Sequence, residues 1–226
     1  MPPVPPPAAV LWDLDGTLVD TEPFWRRAEA DLVAAFGGTW DEADGLALVG
    51  TALPDYAAVL QQHGVTLTVE AILDRMVATI LAWQADGPPW QPGALELVHA
   101  LREAGVPQAL VTSSYRALTA PVIAATGGAF AVVVPGDEVA RTKPDPQPYL
   151  TAAASLGVPI GRCVVVEDST KGVAAGLASG AHTLAVRSQV ELPDDPRLSL
   201  TDTLATVTLD DLARLAAGEV LDLTAV

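Results

Sequence analysis

The stretch AVLWDLDGTLVD, residues 9–20, decides both the fold and the chemistry. An apolar, strand-like run from Ala9 to Trp12 ends in two aspartates one residue apart, Asp13 and Asp15. Open α/β sheets place their chemistry at the carboxyl ends of the strands. Both carboxylates lie on one side of an extended segment, where they repel each other unless a cation lies between them. Gly16 then permits a tight turn. The stretch therefore predicts a reactive acidic strand end, although Asp-Gly pairs are also common in ordinary turns.

Composition limits the partners and the compartment. A formal net charge of −16 over 226 residues repels nucleic acid and anionic membranes, so we expect neither as a partner. No segment approaches the roughly 20 apolar residues that span a bilayer. Cys163 is the only cysteine, which excludes an internal disulfide and fits a reducing cytoplasm. Residues 1–8 begin with an uncharged proline-rich run, which predicts a flexible tail and no signal peptide. We expect a soluble, cytoplasmic protein.

Alternating elements after residue 90 predict an α/β fold, a Rossmann-like parallel sheet flanked by helices. Four apolar runs follow the first one and resemble strands: Gln108–Thr112, Val132–Pro135, Cys163–Glu167 and Thr183–Val186. Helical patterns lie between them: Ala94–Ala104, Thr119–Thr126, Tyr149–Leu156 and Gly172–Ser179. Pro121 is expected in the first turn of its helix, where a missing N–H costs little.

Residues 22–89 interrupt this alternation. Apolar side chains recur there at helical spacing, and the segment contains no convincing strand. Turn-rich sequence precedes it at Asp20–Pro23 and follows it at Gly87–Gly93. We expect an all-helical domain inserted into an α/β core of residues 9–21 and 90–226. An insertion that leaves from the end of the first strand overhangs the two aspartates and can act as a lid.

Three later segments carry polar groups at strand ends or in a stiff loop. Thr112 and Ser113 follow one strand, and their hydroxyls either hold phosphate oxygens or cap a helix. Lys143 lies between Thr142 and two prolines in Thr142-Lys143-Pro144-Asp145-Pro146, a loop stiff enough to fix an ammonium group in place. Glu167 and Asp168 end another buried strand. Taken alone, each pattern also occurs on ordinary protein surfaces.

Several carboxylates with only oxygen ligands favour a hard cation such as Mg²⁺. The three histidines, His63, His99 and His182, are scattered and none falls at a predicted strand end, which argues against a zinc site.

In this order, the four motifs resemble those of the haloacid dehalogenase superfamily, over nearly the whole chain. They are Asp13-Leu14-Asp15-Gly16-Thr17, Thr112-Ser113, Lys143-Pro144 and Glu167-Asp168. The resemblance implies that Asp13 is a nucleophile that forms an aspartyl-phosphate and that Asp15 is the general acid and base. It further implies that Mg²⁺ is held by Asp13, the backbone carbonyl of Asp15, and Asp168. Glu167 is either a further metal ligand or, as we favour, a residue behind these ligands. Thr112, Ser113 and Lys143 would bind the transferred phosphoryl group.

Comparison within the superfamily favours a phosphatase for a small phosphorylated sugar or polyol. Dehalogenases lack an acid at the position of Asp15, and phosphonate hydrolases need a cap lysine that residues 22–89 do not contain. The closest alternative is a β-phosphoglucomutase-like mutase, which needs cationic anchors for a second phosphate. Residues 49–55 resemble the cap specificity loop of these mutases but contain no basic residue, and Trp25 stands where such mutases carry a histidine. Trp25 and Thr51 are candidate contacts to the leaving group, although either could instead be a packing residue.

Two further expectations accompany this interpretation. The fold could also serve as a non-catalytic binding module, because a fold alone does not determine function. A capped monomer needs no partner to complete its site, so we expect a monomer.

Overall fold

The computed structural model describes residues 4–48, 51, 53–188 and 190–224. Its centre is a seven-stranded parallel sheet in the order β3-β2-β1-β4-β5-β6-β7. The strands are Ala9–Trp12 (β1), Gln108–Val111 (β2), Val132–Val134 (β3), Cys163–Glu167 (β4), His182–Val186 (β5), Leu198–Thr201 (β6) and Asp222–Leu223 (β7). Because β1 lies between β2 and β4, its carboxyl end is the point where strand order reverses and where such sheets hold ligands.

Helices cover both faces of the sheet. Those of the α/β core are Ala94–Glu103 (α5), Arg116–Ala125 (α6), Gln147–Leu156 (α7), Thr170–Ser179 (α8) and Leu209–Ala216 (α9). Successive side chains of a strand point to opposite faces. Accordingly, Val10 and Trp12 join an apolar cluster with α5 and α9, whereas Ala9 and Leu11 join one with α7 and α8. The α/β fold predicted from the alternating runs is confirmed.

In the part of the chain that the structure describes, four helices lie between β1 and α5. They are Glu22–Ala35 (α1), Glu42–Leu46 (α2), Leu53–Gln62 (α3) and Val69–Trp83 (α4), and we call them the helical module. They pack around their own apolar cluster, which includes Leu32, Ile72 and Met76 and extends to Leu118 of α6. The chain enters and leaves the module at adjacent points, since Asp20 N donates to Pro89 O at 2.7 Å and Gln91 N donates to Leu18 O at 2.9 Å.

Two details differ from the sequence predictions. Strands β6 and β7 were not anticipated, and they extend the sheet beyond β5. The placement of Pro121 in a first helical turn is wrong, because α6 begins at Arg116 and leaves Pro121 in its interior. The earlier start is favoured by Asp137, whose carboxylate accepts from Arg116 N at 3.0 Å.

Some predicted features lie outside the described residues. They are residues 1–3 of the expected tail and residues 49, 50 and 52 of the expected specificity loop. Nearer the core, Arg162 donates to the carbonyl of Pro6 at 3.0 Å, and Ala8 N donates to the carbonyl of Arg162 at 2.9 Å. Among the described residues, none of the helices is long and apolar enough to cross a membrane.

Candidate active site

The carboxyl edge of the sheet gathers the predicted site residues around one cavity. Asp13 and Asp15 follow β1, Thr112 and Ser113 follow β2, and Lys143 comes from the loop before α7. All five line the cavity, together with Trp25 and Thr51 from the helical module. Asp168 is not part of the lining of this cavity. One carboxylate oxygen each of Asp13, Glu167 and Asp168 lie within 4.8 Å of one another, so the three side chains form a cluster.

Lys143 joins two of the acidic strand ends. Its Nζ lies 2.5 Å from Asp13 Oδ1 and 2.6 Å from Glu167 Oε1, and it also donates to the carbonyl of Val111 at 3.0 Å. Burial alone would lower the pKa of Lys143, but the carboxylates of Asp13 and Glu167 raise it above its ordinary value. The charged ammonium form is therefore favoured, and it is fixed beside the carboxylate of Asp13.

Glu167 is the anchor of this arrangement. Its side chain is fully buried. Oε1 accepts from Lys143 and from the Tyr149 hydroxyl, which lies at 2.6 Å. Oε2 accepts from Asp168 N at 3.1 Å and from Ser169 Oγ at 3.2 Å. Both oxygens thus already hold donors, and the carboxylate fixes both the lysine and the turn that carries Asp168.

Asp13, Glu167 and Asp168 form a buried acidic cluster that suits a divalent cation. Burial is the main cause that raises the pKa of Asp13 to about 8, followed by the charge of Glu167. Burial and the charges of Asp13 and Glu167 likewise raise the pKa of Asp168 well above its ordinary value. Three carboxylates face a single ammonium group, and this excess negative charge is what a bound cation offsets.

Gly16 is required for the close approach of Asp168. Its backbone has φ +87°, and a Cβ on it would overlap the carboxylate of Asp168. The Asp168 carboxylate also accepts from Thr17 Oγ1 at 3.2 Å. The motif glycine therefore serves the packing of two strand ends as well as the turn.

Asp15 is held from both sides. Thr21 Oγ1 donates to its Oδ1 at 2.5 Å, and Ser114 Oγ donates to its Oδ2 at 2.7 Å. Trp25 Nε1 lies 3.5 Å from the same Oδ1, so the helical module reaches the aspartate directly. These donors fix one orientation of the carboxylate, which faces the cavity.

The two candidates from the module occupy different settings. Trp25 is almost fully buried and meets the Tyr56 ring edge-on, at 5.5 Å between ring centroids. It both packs within the module and lines the cavity, so the two interpretations of this residue are compatible. Thr51 lines the cavity and accepts a hydrogen bond from Lys171 Nζ at 2.8 Å.

The family described as haloacid dehalogenase-like hydrolase matches residues 7–180. The chain belongs to this family. The four motifs first identified in the sequence all meet at this edge of the sheet, and the predicted family assignment is confirmed.

Relatives of this hydrolase include phosphatases. Hexitol phosphatase A of Escherichia coli is 35% identical over 85% of this chain and 87% of that protein. The bifunctional riboflavin kinase/FMN phosphatase of Arabidopsis thaliana is 34% identical over 80% of this chain, which spans only 48% of that protein. Among solved structures, a CbbY variant from Rhodobacter sphaeroides in complex with xylulose-(1,5)bisphosphate has a TM-score of 0.79 at 28% identity. The similarity covers 88% of this chain and 96% of that one.

Several residues at the site were not singled out from the sequence. Ser114 was visible only as the third residue of a hydroxyl run, and Thr21 as part of the turn before the module. Tyr149 carried no local signal, because its importance depends on the tertiary contact that brings its hydroxyl to Glu167. The same holds for Glu29 and Tyr56, which belong to different helices and line the cavity together.

Proposed function

We propose that this hydrolase is a Mg²⁺-dependent phosphatase, which cleaves a small phosphorylated metabolite through an aspartyl-phosphate on Asp13. The observation that carries the proposal is the Lys143 ammonium, held 2.5 Å from Asp13 Oδ1 at the floor of a cavity. A carboxylate attacks a phosphate dianion poorly because both are negative, and adjacent positive charge offsets that repulsion.

The carboxylates of Asp13 and Asp168, with the backbone carbonyl of Asp15, would hold Mg²⁺. When bound, the ion supplies positive charge that stabilises the transferring phosphoryl group. Thr112, Ser113 and Lys143 bind the oxygens of that group. Two observations support this assignment of metal ligands and phosphate-binding residues. Thr112, Ser113 and Lys143 line the cavity, whereas both carboxylate oxygens of Glu167 already accept hydrogen bonds.

Proton transfer is assigned to Asp15. In the first step the Asp13 carboxylate forms a bond to phosphorus, the ester P–O bond breaks, and Asp15 gives its proton to the departing alkoxide. In the second step Asp15 takes a proton from water, which attacks phosphorus and breaks the bond to Asp13. Inorganic phosphate leaves and both aspartates return to their starting states.

The helical module is proposed to be the cap, spanning residues 22–89 on a core of residues 9–21 and 90–226. Its apolar cluster and its two adjacent linkers support a unit that moves relative to the sheet. Closing such a cap would exclude water from the reacting groups. The single cysteine and the self-contained cavity support a monomer in a reducing cytoplasm.

The substrate class is a phosphorylated sugar or polyol. The similarity to a hexitol phosphatase over 85% of the chain supports this choice. The segment Asp20-Thr21-Glu22-Pro23-Phe24-Trp25, which resembles that of hexose-phosphate phosphatases, supports it as well.

Hydrolysis assays test the proposal. We expect the purified protein to release phosphate from p-nitrophenyl phosphate and from a hexitol phosphate with Mg²⁺, and to stop when EDTA is added. Asp13→Asn should fold normally by circular dichroism and show no turnover. Absence of hydrolysis with every monoester would instead support a binding module. Conversion of β-glucose 1-phosphate to glucose 6-phosphate with a bisphosphate primer would support a mutase.

A further inference from the structure

The helical module lines one part of the cavity, which we call its wall, with acidic and phenolic side chains. Glu22 and Glu29 come from α1 and Tyr56 comes from α3. Glu29 is 2% exposed and Tyr56 is 4% exposed. Carboxylates and phenols are this well buried only when something satisfies their polar atoms.

The Tyr56 hydroxyl has no well-formed hydrogen bond. It interacts with the Glu29 carboxylate, but among the residues that the structure describes no group offers it a hydrogen bond of acceptable geometry. Its ring is fixed by the edge-on contact with Trp25, and the residue lines the cavity. A buried hydroxyl without a well-formed hydrogen bond is costly, and a ligand hydroxyl in the cavity would remove that cost.

Glu29 is held in place and lines the cavity. Trp40 Nε1 donates to its Oε2 at 3.1 Å. Gly45 packs against the same oxygen, and a Cβ there would lie 3.1 Å from it. Burial raises the pKa of Glu29, and the interactions with Tyr56 and Trp40 and the charge of Arg26 oppose that rise. A carboxylate in this setting is a strong acceptor for a hydroxyl donor.

The ionisable side chains that the module adds to the cavity are carboxyl and phenol groups. Lys143 is the only cation among the described residues that line the cavity, and it already pairs with Asp13 and Glu167. Arg26 acts on both glutamates but lines the neighbouring cavity. A second phosphate placed beside the module would therefore meet Glu22 and Glu29, and the cation nearest to hand, Arg26, lines a different cavity.

We infer that Glu29 and Tyr56 form the leaving-group subsite, which binds the hydroxyls of a neutral polyhydroxylated chain and, together with Glu22, rejects a second phosphate. The inference rests on the proposed phosphatase function and narrows its substrate class to monophosphates of neutral polyols and sugars. Glu29 and Tyr56 determine specificity and take no part in the bond-breaking steps.

Calorimetric binding to the Asp13→Asn protein with Mg²⁺ tests the subsite without turnover. The probes are fructose 6-phosphate and fructose 1,6-bisphosphate, which differ only in the second phosphate. We expect the monophosphate to bind at least about tenfold more tightly, the effect of one charged interaction. Adding Glu29→Gln should reduce this preference below about threefold, because the amide neither repels the second phosphate nor accepts as strongly. Adding Glu70→Gln, an exposed residue of the module, is the matched control and should leave the preference unchanged.

Tyr56→Phe provides a second, independent variant. We expect it to weaken monophosphate binding about fivefold and to leave bisphosphate binding within about twofold, since it removes one neutral hydrogen bond. Equal or tighter binding of the bisphosphate, or an identical preference in the Glu29→Gln and Glu70→Gln proteins, overturns the subsite.

The two proposals fail in different ways. A wild-type protein that hydrolyses no monoester, combined with the expected binding preference, contradicts the phosphatase and leaves the subsite standing. Hydrolysis without the preference contradicts the subsite alone.

Discussion

Lys171 Nζ donates a hydrogen bond of 2.8 Å to Thr51 Oγ1, which ties the α/β core to the helical module at the rim of the cavity. Lys171 lies in the first turn of α8, three residues after Asp168, and Thr51 lines the cavity just before α3. The bond is separate from the two linkers between module and core. It therefore connects the position of the module to the strand end that carries Asp168.

Replacing Lys171 should weaken this connection. We expect Lys171→Met to raise KM for a hexitol phosphate about three- to tenfold, with kcat changed less than twofold, since one net hydrogen bond contributes about 0.5–1.5 kcal/mol. Lys171→Arg keeps a donor and should restore most of the affinity. Steady-state kinetics at saturating Mg²⁺ decide the matter, and an unchanged KM in the methionine variant would show that the bond does not stabilise the bound state.

Asp15→Asn should separate the two chemical steps. With p-nitrophenyl phosphate as the substrate, the nitrophenolate leaving group needs no proton, so the first step can proceed. In the second step, the attacking water has lost the base that takes its proton. We expect a burst of about one nitrophenolate per enzyme, followed by turnover reduced about 10²–10⁴-fold. Asp13→Asn should give no burst. Stopped-flow absorbance distinguishes these outcomes, and sustained turnover of a hexitol phosphate by Asp15→Asn would contradict its role as acid and base.

The acidic and hydroxylic strand ends could be predicted because their signal is local. Asp13 and Asp15 directly follow an apolar run, and so does Asp168, so that the sheet alone brings them together once the strands are parallel. Strands β6 and β7 were missed for a physical reason. Asp222–Leu223 has only two residues, and Leu198–Thr201 is half polar, so both depend on pairing outward from β5 and not on their own sequence.

The module side of the cavity could not be predicted in the same way. Glu29 and Tyr56 are separated by 27 positions and lie on different helices, and nothing in either helix marks them as neighbours. Tyr149 likewise meets Glu167 only because α7 packs on the face of the sheet formed by β1, β2 and β3. Such pairs arise from tertiary packing, whereas the strand-end motifs arise from the order of residues along the chain.

Glu167→Gln should separate positioning from metal binding. The amide keeps the shape of the side chain but loses the charge that holds Lys143, so we expect kcat to fall about 10- to 100-fold. The stabilisation by Mg²⁺ should persist, because a ligand that binds the folded state raises the melting temperature, and tighter binding raises it more. Asp168→Asn, in contrast, should lose that stabilisation. Thermal unfolding with and without Mg²⁺ makes the comparison, and equal loss in both variants would identify Glu167 as a direct ligand.

Glu22 should make the protein less stable as the pH rises from about 5 to about 8. Burial is the main cause that raises the pKa of Glu22 to about 7 from its ordinary value of 4.5, followed by the charges of Asp15 and Glu29. Asp20 adds to the rise, and Arg26 opposes it. A carboxyl group with a raised pKa binds its proton more tightly in the folded state. The folded state therefore loses stability as the pH rises between the two pKa values, and the loss levels off above the higher one.

The Glu22→Gln side chain cannot ionise, so the variant should not suffer this loss. We expect the free energy of unfolding of Glu22→Gln minus that of wild type to increase by on the order of 1 kcal/mol between pH 5 and pH 8, after solvent screening. Urea unfolding at the two pH values measures the change, with Glu70→Gln as the exposed control. A difference in stability between Glu22→Gln and wild type that stays constant with pH would mean that folding does not raise the pKa of the Glu22 carboxyl.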